Sequence, residues 1–74
     1  MSMLNTEEFG RRLSHLRHKT GKKQRQVADD LGVTPQAVSK WERGLSCPDI
    51  LMLDELASSL RVTIADLFEK NDAR

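Results

Sequence analysis

The sequence predicts an all-α fold, and three observations lead to this prediction. Apolar residues recur at spacings of three and four in several segments, which is the periodicity of amphipathic helices. The β-branched apolar residues are few and scattered rather than gathered in an alternating run, as a half-buried strand would require. Most of these segments begin at a residue that commonly caps helices. With 74 residues we expect one domain, its core between about residues 5 and 70.

The first predicted helix begins after Asn5, the expected N-cap. Glu8 stands three residues later, which is the arrangement of a capping box. Leu4 and Phe9 occupy the two positions of a hydrophobic staple, which fixes the direction in which a chain enters a helix. Gly21 is expected to end this helix, since glycine adopts the left-handed conformation there without penalty.

The next two predicted helices are separated by a short turn. One runs from about Gln24 to Gly32, and the other begins at the N-cap Thr34, with Pro35 at its first position. A turn of three or four residues that contains glycine makes two helices cross steeply. Residues 24–43 are therefore predicted to form a helix-turn-helix unit, with its second helix at residues 34–43.

Two further helices are predicted in the C-terminal part of the chain. Asp49 caps a fourth helix that reaches about Leu60, and Thr63 caps a short fifth helix with Asp66 at its third position. Apolar residues follow one face of the fourth helix: Ile50, Leu53, Leu56, Ala57 and Leu60. The prediction is thus a five-helix bundle.

The charges are distributed unevenly along the chain. The formal net charge is only +1, yet residues 11–43 hold nine basic and three acidic residues, for a local charge of +6. The segments before and after them are acidic, with charges of −2 and −3. A basic region of this kind suits a polyanionic partner such as nucleic acid, although a solvated helix surface is the alternative reading.

The faces of the third helix can be separated at about 100° per residue. Val38 and Trp41 define its buried side, and Glu42 falls beside that side. The opposite face carries long hydrogen-bonding side chains without a carboxylate: Gln36, Ser39, Lys40 and Arg43. Glutamine can bond adenine in a bidentate manner, while lysine and arginine favour guanine. This face therefore predicts contact with base edges in the DNA major groove.

The combined pattern resembles the Cro/phage-repressor type (xenobiotic-response-element-like) of helix-turn-helix. The resemblance rests on the runs at residues 24–28, 31–34 and 38–44, with Pro48 and Leu56-Ala57, and it covers about residues 8–68. It implies a five-helix lambda-repressor-like fold and cytoplasmic DNA binding. It also implies a homodimer on a pseudo-palindromic operator.

The resemblance also assigns roles to individual residues. Thr34, Gln36, Ser39 and Lys40 match base-reading or groove-lining positions. Gln24, Arg43 and Ser46 match positions that touch the phosphate backbone. Arg17 and Glu42 match a structural ion pair between the first and third helices. Where the family usually has a serine or threonine cap, this chain has Lys23, and together with Arg25 it is expected to face phosphate. Pro35 replaces a base-contacting amide, which leaves more of the specificity to Gln36, Ser39 and Lys40.

One apolar run is too long for a single helix face. In residues 50–53 all four side chains are apolar, so Leu51 and Met52 are expected to point away from the core. Exposed apolar patches on small domains mark partner surfaces. With Phe68 they are predicted to form a homodimer interface, and burial under the C-terminal tail is the alternative.

The histidines and the cysteine do not indicate a further site. His15 and His18 are three residues apart on one helix, but a zinc site needs at least three protein ligands, so no metal or cofactor is expected. Cys47 is read as a partly buried loop residue, with a redox switch as the alternative. No catalytic constellation is recognisable, so no enzyme is expected. The single cysteine and the lack of a long apolar run predict a cytoplasmic protein.

Two functional hypotheses follow. The first is a sequence-specific double-stranded DNA-binding transcriptional regulator, a repressor, that reads the major groove. The alternative is an antitoxin or protein-interaction module of the same fold, which binds a partner protein and can also bind its own promoter.

Overall fold

The computed structural model describes residues 5–69, and in this part of the chain all regular secondary structure is helical, without a strand. The helices are α1 (Thr6–Thr20), α2 (Gln24–Leu31), α3 (Pro35–Glu42) and α4 (Leu53–Leu60), with 3-10 turns at Ile50–Met52 and Ala65–Leu67. The all-α prediction is confirmed. Over the described range, the helices are too short or too polar for any of them to span a bilayer.

The helices pack around one apolar core. α3 packs against α1 and α2, and α4 packs mainly on α2. All four helices and the second 3-10 turn contribute buried side chains: Leu13, Leu16, Val27, Ala28, Leu31, Val38, Trp41, Leu56, Ala57, Leu60 and Leu67. Burial of large aliphatic side chains stabilises the fold by about 1.5–3 kcal/mol each relative to exposure.

The N-caps predicted for the first and third helices form, whereas Asp49 caps the 3-10 turn at Ile50–Met52 and α4 begins only at Leu53, without a side-chain cap. Asn5 Oδ1 accepts a hydrogen bond from the Glu8 amide at 2.7 Å, and Thr34 Oγ1 accepts one from the Ala37 amide at 3.1 Å. These contacts satisfy amides that have no partner within the helix. Leu4, the predicted staple partner of Phe9, lies outside the described residues.

The four helices also end alike, in Schellman motifs. After α3, the Gly44 amide donates to the Trp41 carbonyl at 3.1 Å and the Leu45 amide donates to the Lys40 carbonyl at 2.9 Å. The residue whose amide makes the first of these two bonds must adopt the left-handed conformation. After α4 that residue is Arg61, the one positive-φ non-glycine residue of the described part, with φ 62°.

The C-terminal segments differ from the prediction in detail. The predicted fifth helix is a single 3-10 turn at Ala65–Leu67. Thr63 and Asp66 cap each other as predicted, since each amide donates to the other's side chain, at 3.0 and 3.1 Å. The turn therefore forms its cap, but the bonds that follow are mainly of the i→i+3 kind.

The apolar run at residues 50–53 is also only partly as predicted. Leu51 is 84% exposed, as expected. Met52 is half-buried and packs against the core, because this flexible, unbranched side chain can turn inward and fill a gap. Ile50 is 75% exposed, although helical periodicity predicts it on the buried face of the fourth helix. It precedes α4 and lines an open groove, so other side chains cover only one side of it.

Candidate nucleic-acid interface

The turn between α2 and α3 has the geometry of a tight helix-turn-helix. Gly32 adopts φ 73°, and the next residue, Val33, donates its amide to the Ala28 carbonyl at 3.0 Å. Ala28 is fully buried, as are Val27 and Val38. The small side chain of Ala28 allows the two helices to approach closely, which fixes the direction of α3 relative to α2.

The outward face of α3 carries uncharged or cationic groups. Gln36 and Lys40 are exposed, Arg43 follows the helix as an exposed C-cap, and Ser39 is half-buried at the edge of this face. Thr34 is exposed at the N-cap, and although its Oγ1 accepts from Ala37, its hydroxyl can still donate. The predicted base-reading side chains therefore share one accessible face.

The carboxylate of α3 points away from this face. The Glu42 side chain is only 6% exposed, and its Oε2 accepts a 2.5 Å bond from Arg17 Nε in α1. Arg17 Nη2 donates to Glu42 Oε1 at 3.0 Å, while Nη1 donates to the Lys22 carbonyl at 2.8 Å. Arg17 and Glu42, the residues assigned to the ion pair, are thus in bidentate contact. The charge that would repel DNA is neutralised inside the protein.

Gln24 also contacts this ion pair, and the sequence did not predict that contact. Its Nε2 donates to Glu42 Oε1 at 3.1 Å, so one carboxylate connects α1, α2 and α3. The 18 residues between Gln24 and Glu42 give no local spacing signal from which this contact could have been inferred. The amide has a second N–H, so the assigned phosphate contact is still chemically possible.

The start of α2 is strongly basic. Lys23 and Arg25 are exposed on either side of Gln24. Lys23 gives no side-chain cap, but its backbone amide donates to Gln26 Oε1 at 2.7 Å. The first turn of α2 carries no acidic residue, so its free amides and the helix dipole are available to an anion. Ser46, also assigned to phosphate, is half-buried in the loop after α3.

A second polar cluster ties α2 to α4. Lys22 Nζ donates to Asp30 Oδ2 at 2.8 Å and to the Ser59 carbonyl at 2.7 Å, and Ser59 Oγ donates to Asp30 Oδ2 at 2.7 Å. The hydrogen bond from Lys22, followed by that from Ser59, lowers the pKa of Asp30. Because Lys22 also accepts from Arg17, the two clusters form one continuous chain of contacts.

An open apolar groove lies outside these clusters. It has a volume of about 270 Å³, and the rings of Phe9 and Phe68 meet beside it with centroids 5.5 Å apart. Phe68 is 38% exposed. Cys47 also lines the groove and is exposed, where partial burial was expected, because its loop lies at the open edge.

The histidines make local contacts. The ring of exposed His18 bonds through Nδ1 to the Ser14 carbonyl at 2.7 Å, one helical turn earlier, and His15 is exposed. Within residues 5–69, no three His, Cys, Asp or Glu side chains come together as metal ligands.

A family model described as "Helix-turn-helix" matches residues 13–67, which is most of the chain and includes both clusters. The chain belongs to the Cro/C1-type helix-turn-helix family. This is a family of DNA-binding transcriptional regulators. The resemblance inferred from residues 24–44 is therefore confirmed.

A named relative supports the helix-turn-helix assignment. The SPβ prophage-derived uncharacterized HTH-type transcriptional regulator YonR of Bacillus subtilis (strain 168) is 36% identical over 66 residues. This match takes in 89% of the chain and 61% of the relative. The chain thus spans about three-fifths of the length of that regulator.

Solved structures show the same helix-turn-helix fold. The restriction-modification controller protein C.AhdI from Aeromonas hydrophila has a TM-score of 0.80 at 30% identity, over 85% of this chain and 91% of that one. The P22 c2 repressor protein, in complex with synthetic operator 9T, has a TM-score of 0.76 at 28% identity, over 82% and 92%. Both regulators keep this arrangement of helices at modest sequence identity.

Proposed function

We propose that this protein is a sequence-specific transcriptional repressor that acts in the cytoplasm and places α3 in the DNA major groove. One observation carries the proposal: the outward face of α3 is free of carboxylates because Arg17 holds Glu42 inside. A helix fits into the major groove, and its exposed polar side chains then meet base edges. The P22 c2 repressor, whose structure contains an operator, supports the assignment.

Two sets of residues would contact different parts of the DNA, the bases and the phosphates. Base edges would be read by Thr34, Gln36, Ser39 and Lys40. Phosphates would be bound by Lys23, Gln24, Arg25 and Ser46, and the family resemblance places Arg43 in the same set. Contacts to bases confer sequence preference, whereas contacts to phosphates fix the register and supply affinity that depends on salt.

The test begins with selection of bound sequences from a random pool of duplex DNA. The Gln36→Ala/Lys40→Ala double variant should lose its preference for the selected operator and retain weak binding to unrelated DNA. Matched substitutions on α4, Glu55→Ala and Ser58→Ala, should leave the preference intact because both residues are exposed on a different helix. Normal operator binding by the α3 double variant would refute the assignment of α3 as the reading helix.

We also propose that the protein binds its operator as a homodimer, which would make the operator pseudo-palindromic. Leu51, at 84% exposure, and the neighbouring groove beside Phe68 supply an apolar surface for the partner. Met52 has a smaller part in this surface than its sequence position indicated, since it packs against the core.

Sedimentation of the free and DNA-bound protein tests the dimer. The Leu51→Glu variant should dissociate into monomers at concentrations where the wild type and a Ser58→Glu control remain dimeric. A wild type that is monomeric at high micromolar concentration, free and on DNA, would refute the dimer. It would favour the alternative that the patch binds a different protein, as in an antitoxin.

A further inference from the structure

We propose that Arg43, oriented by Ser39, reads a guanine base edge and is a specificity-determining residue of the interface, instead of a phosphate ligand. This inference rests on the proposed function of α3. It changes the role that family resemblance gives to Arg43, and it makes Ser39 and Arg43 a reading pair.

The contacts between the two side chains carry the proposal. Arg43 Nε donates to Ser39 Oγ at 3.3 Å and to the Ser39 carbonyl at 3.4 Å. Ser39 lies one helical turn before Arg43 and is half-buried at the edge of the outward face. The guanidinium is therefore folded back along the helix, toward the N-terminal residues that contact base edges in helix-turn-helix complexes.

The backbone anchors the base of this side chain. The Arg43 amide donates to the Ser39 carbonyl at 3.0 Å, and Gly44 then turns the chain with φ 78°. A β-carbon on Gly44 would lie 3.0 Å from Glu7 Cα, so α1 closes on this turn from the other side. The Cα–Cβ direction of Arg43 is thus fixed by the fold.

The donor groups of Arg43 match guanine. A guanidinium has five N–H groups, and the two contacts with Ser39 use only Nε. Within residues 5–69, no acceptor engages the terminal Nη1 and Nη2 groups. Guanine presents O6 and N7 in the major groove as two adjacent acceptors, which arginine binds in a bidentate manner. A phosphate contact would require only a positive charge, which lysine supplies equally well.

The experiment compares Arg43→Lys and Ser39→Ala with the wild type on the selected operator and on its single-base-pair variants. Arg43→Lys should keep the affinity for unrelated DNA and the salt slope, because the charge is retained. It should lose discrimination at one G·C pair in each half-site, by about 10–100-fold. Ser39→Ala should lose discrimination at the same base pair, but by a smaller factor than Arg43→Lys. Arg11→Lys, an exposed arginine in α1, is the matched control and should behave as the wild type.

Two outcomes would overturn the inference while leaving the proposed function intact. One is full discrimination at every base pair by Arg43→Lys. The other is an Arg43→Ala variant that loses affinity equally for all sequences and has a salt slope smaller by about 0.9, as expected for one lost phosphate contact. Failure of the wild type to select any DNA sequence would instead refute the proposed function, and this inference with it.

Discussion

The backbone of Gly10 in α1 lies directly against the carbonyl of Trp41 at the end of α3. A β-carbon on Gly10 would be 2.5 Å from the Trp41 oxygen and 2.6 Å from the Glu42 oxygen, both backbone atoms. Neither atom can rotate away as the end of a side chain could. The contact therefore determines how closely α1 approaches the helix proposed to read DNA.

Gly10→Ala should lower the free energy of unfolding by about 1–3 kcal/mol, because the two helices must separate. A loss of stability would be informative, because replacing glycine by alanine in a helix interior ordinarily stabilises a protein by about 0.5–1 kcal/mol. Urea unfolding followed by fluorescence of the buried Trp41 measures the change. Arg11→Ala, at the adjacent exposed position, should change stability little, and an increase in stability for Gly10→Ala would contradict the close approach.

Removing one member of the Arg17–Glu42 ion pair should strongly destabilise the fold. Glu42→Ala should lower the free energy of unfolding by about 3–5 kcal/mol, because it leaves the buried guanidinium without its counter-charge. Gln24 would lose its acceptor as well. Thermal or urea unfolding of the variant provides the measurement.

A double variant distinguishes two sources of lost stability: a buried charge left without its partner, and the loss of the ion pair itself. Arg17→Met/Glu42→Leu should be more stable than Glu42→Ala, because apolar side chains of similar size replace a buried ion pair at little net cost. If the double variant lost as much stability as both single substitutions added together, the orphaned charge would not be the source of the cost.

Asp30 should make stability depend on acid pH. Because contacts with Lys22 and Ser59 lower its pKa in the folded state, the protein gains stability from this carboxylate above the ordinary aspartate pKa of about 3.8. That contribution should fall as the pH decreases below about 4, through the folded-state pKa. Asp30→Asn should remove it, so the stability difference between wild type and variant should be largest near neutral pH and shrink in acid.

An NMR titration of the Asp30 carboxyl checks the cause. Ser59→Ala removes one of the two hydrogen bonds and should move the Asp30 pKa back toward its ordinary value. Asp29→Asn is the matched control on the adjacent exposed position of α2, and it should leave the titration of Asp30 unchanged. A titration of Asp30 that is insensitive to Ser59→Ala would show that this hydroxyl does not set the shift.

Arg61 offers a route to higher stability. It is left-handed, with φ 62° and ψ 41°, where a β-carbon costs about 1–2 kcal/mol. Arg61→Gly should raise the free energy of unfolding by about 0.5–1 kcal/mol, since greater freedom of glycine in the unfolded chain offsets part of the gain. Arg61→Ala keeps the β-carbon and should show no such gain, and equal stability of the two variants would rule out relief of backbone strain.

Much of the local structure follows from the sequence because its causes are local. The caps at Asn5 and Thr34 depend on residues only three positions apart, and helical periodicity places Val38 and Trp41 on the buried side of α3. The resemblance carried by the runs at residues 24–28, 31–34 and 38–44 predicted the DNA-binding family, and the helical periodicity and the distribution of charge agreed with it. The proposed base-reading face also follows from this arithmetic, and its function remains a prediction.

Only the tertiary structure decided the contacts between distant segments. The approach of Gly10 to Trp41, the bond from Gln24 to Glu42 and the Lys22–Asp30–Ser59 cluster each join residues far apart in the chain. Whether Met52 or Ile50 turns inward likewise depended on which neighbour covered it. Hydrophobic periodicity specifies which face of a helix is buried, whereas the position of one helix on another is set by side chains that meet only after folding.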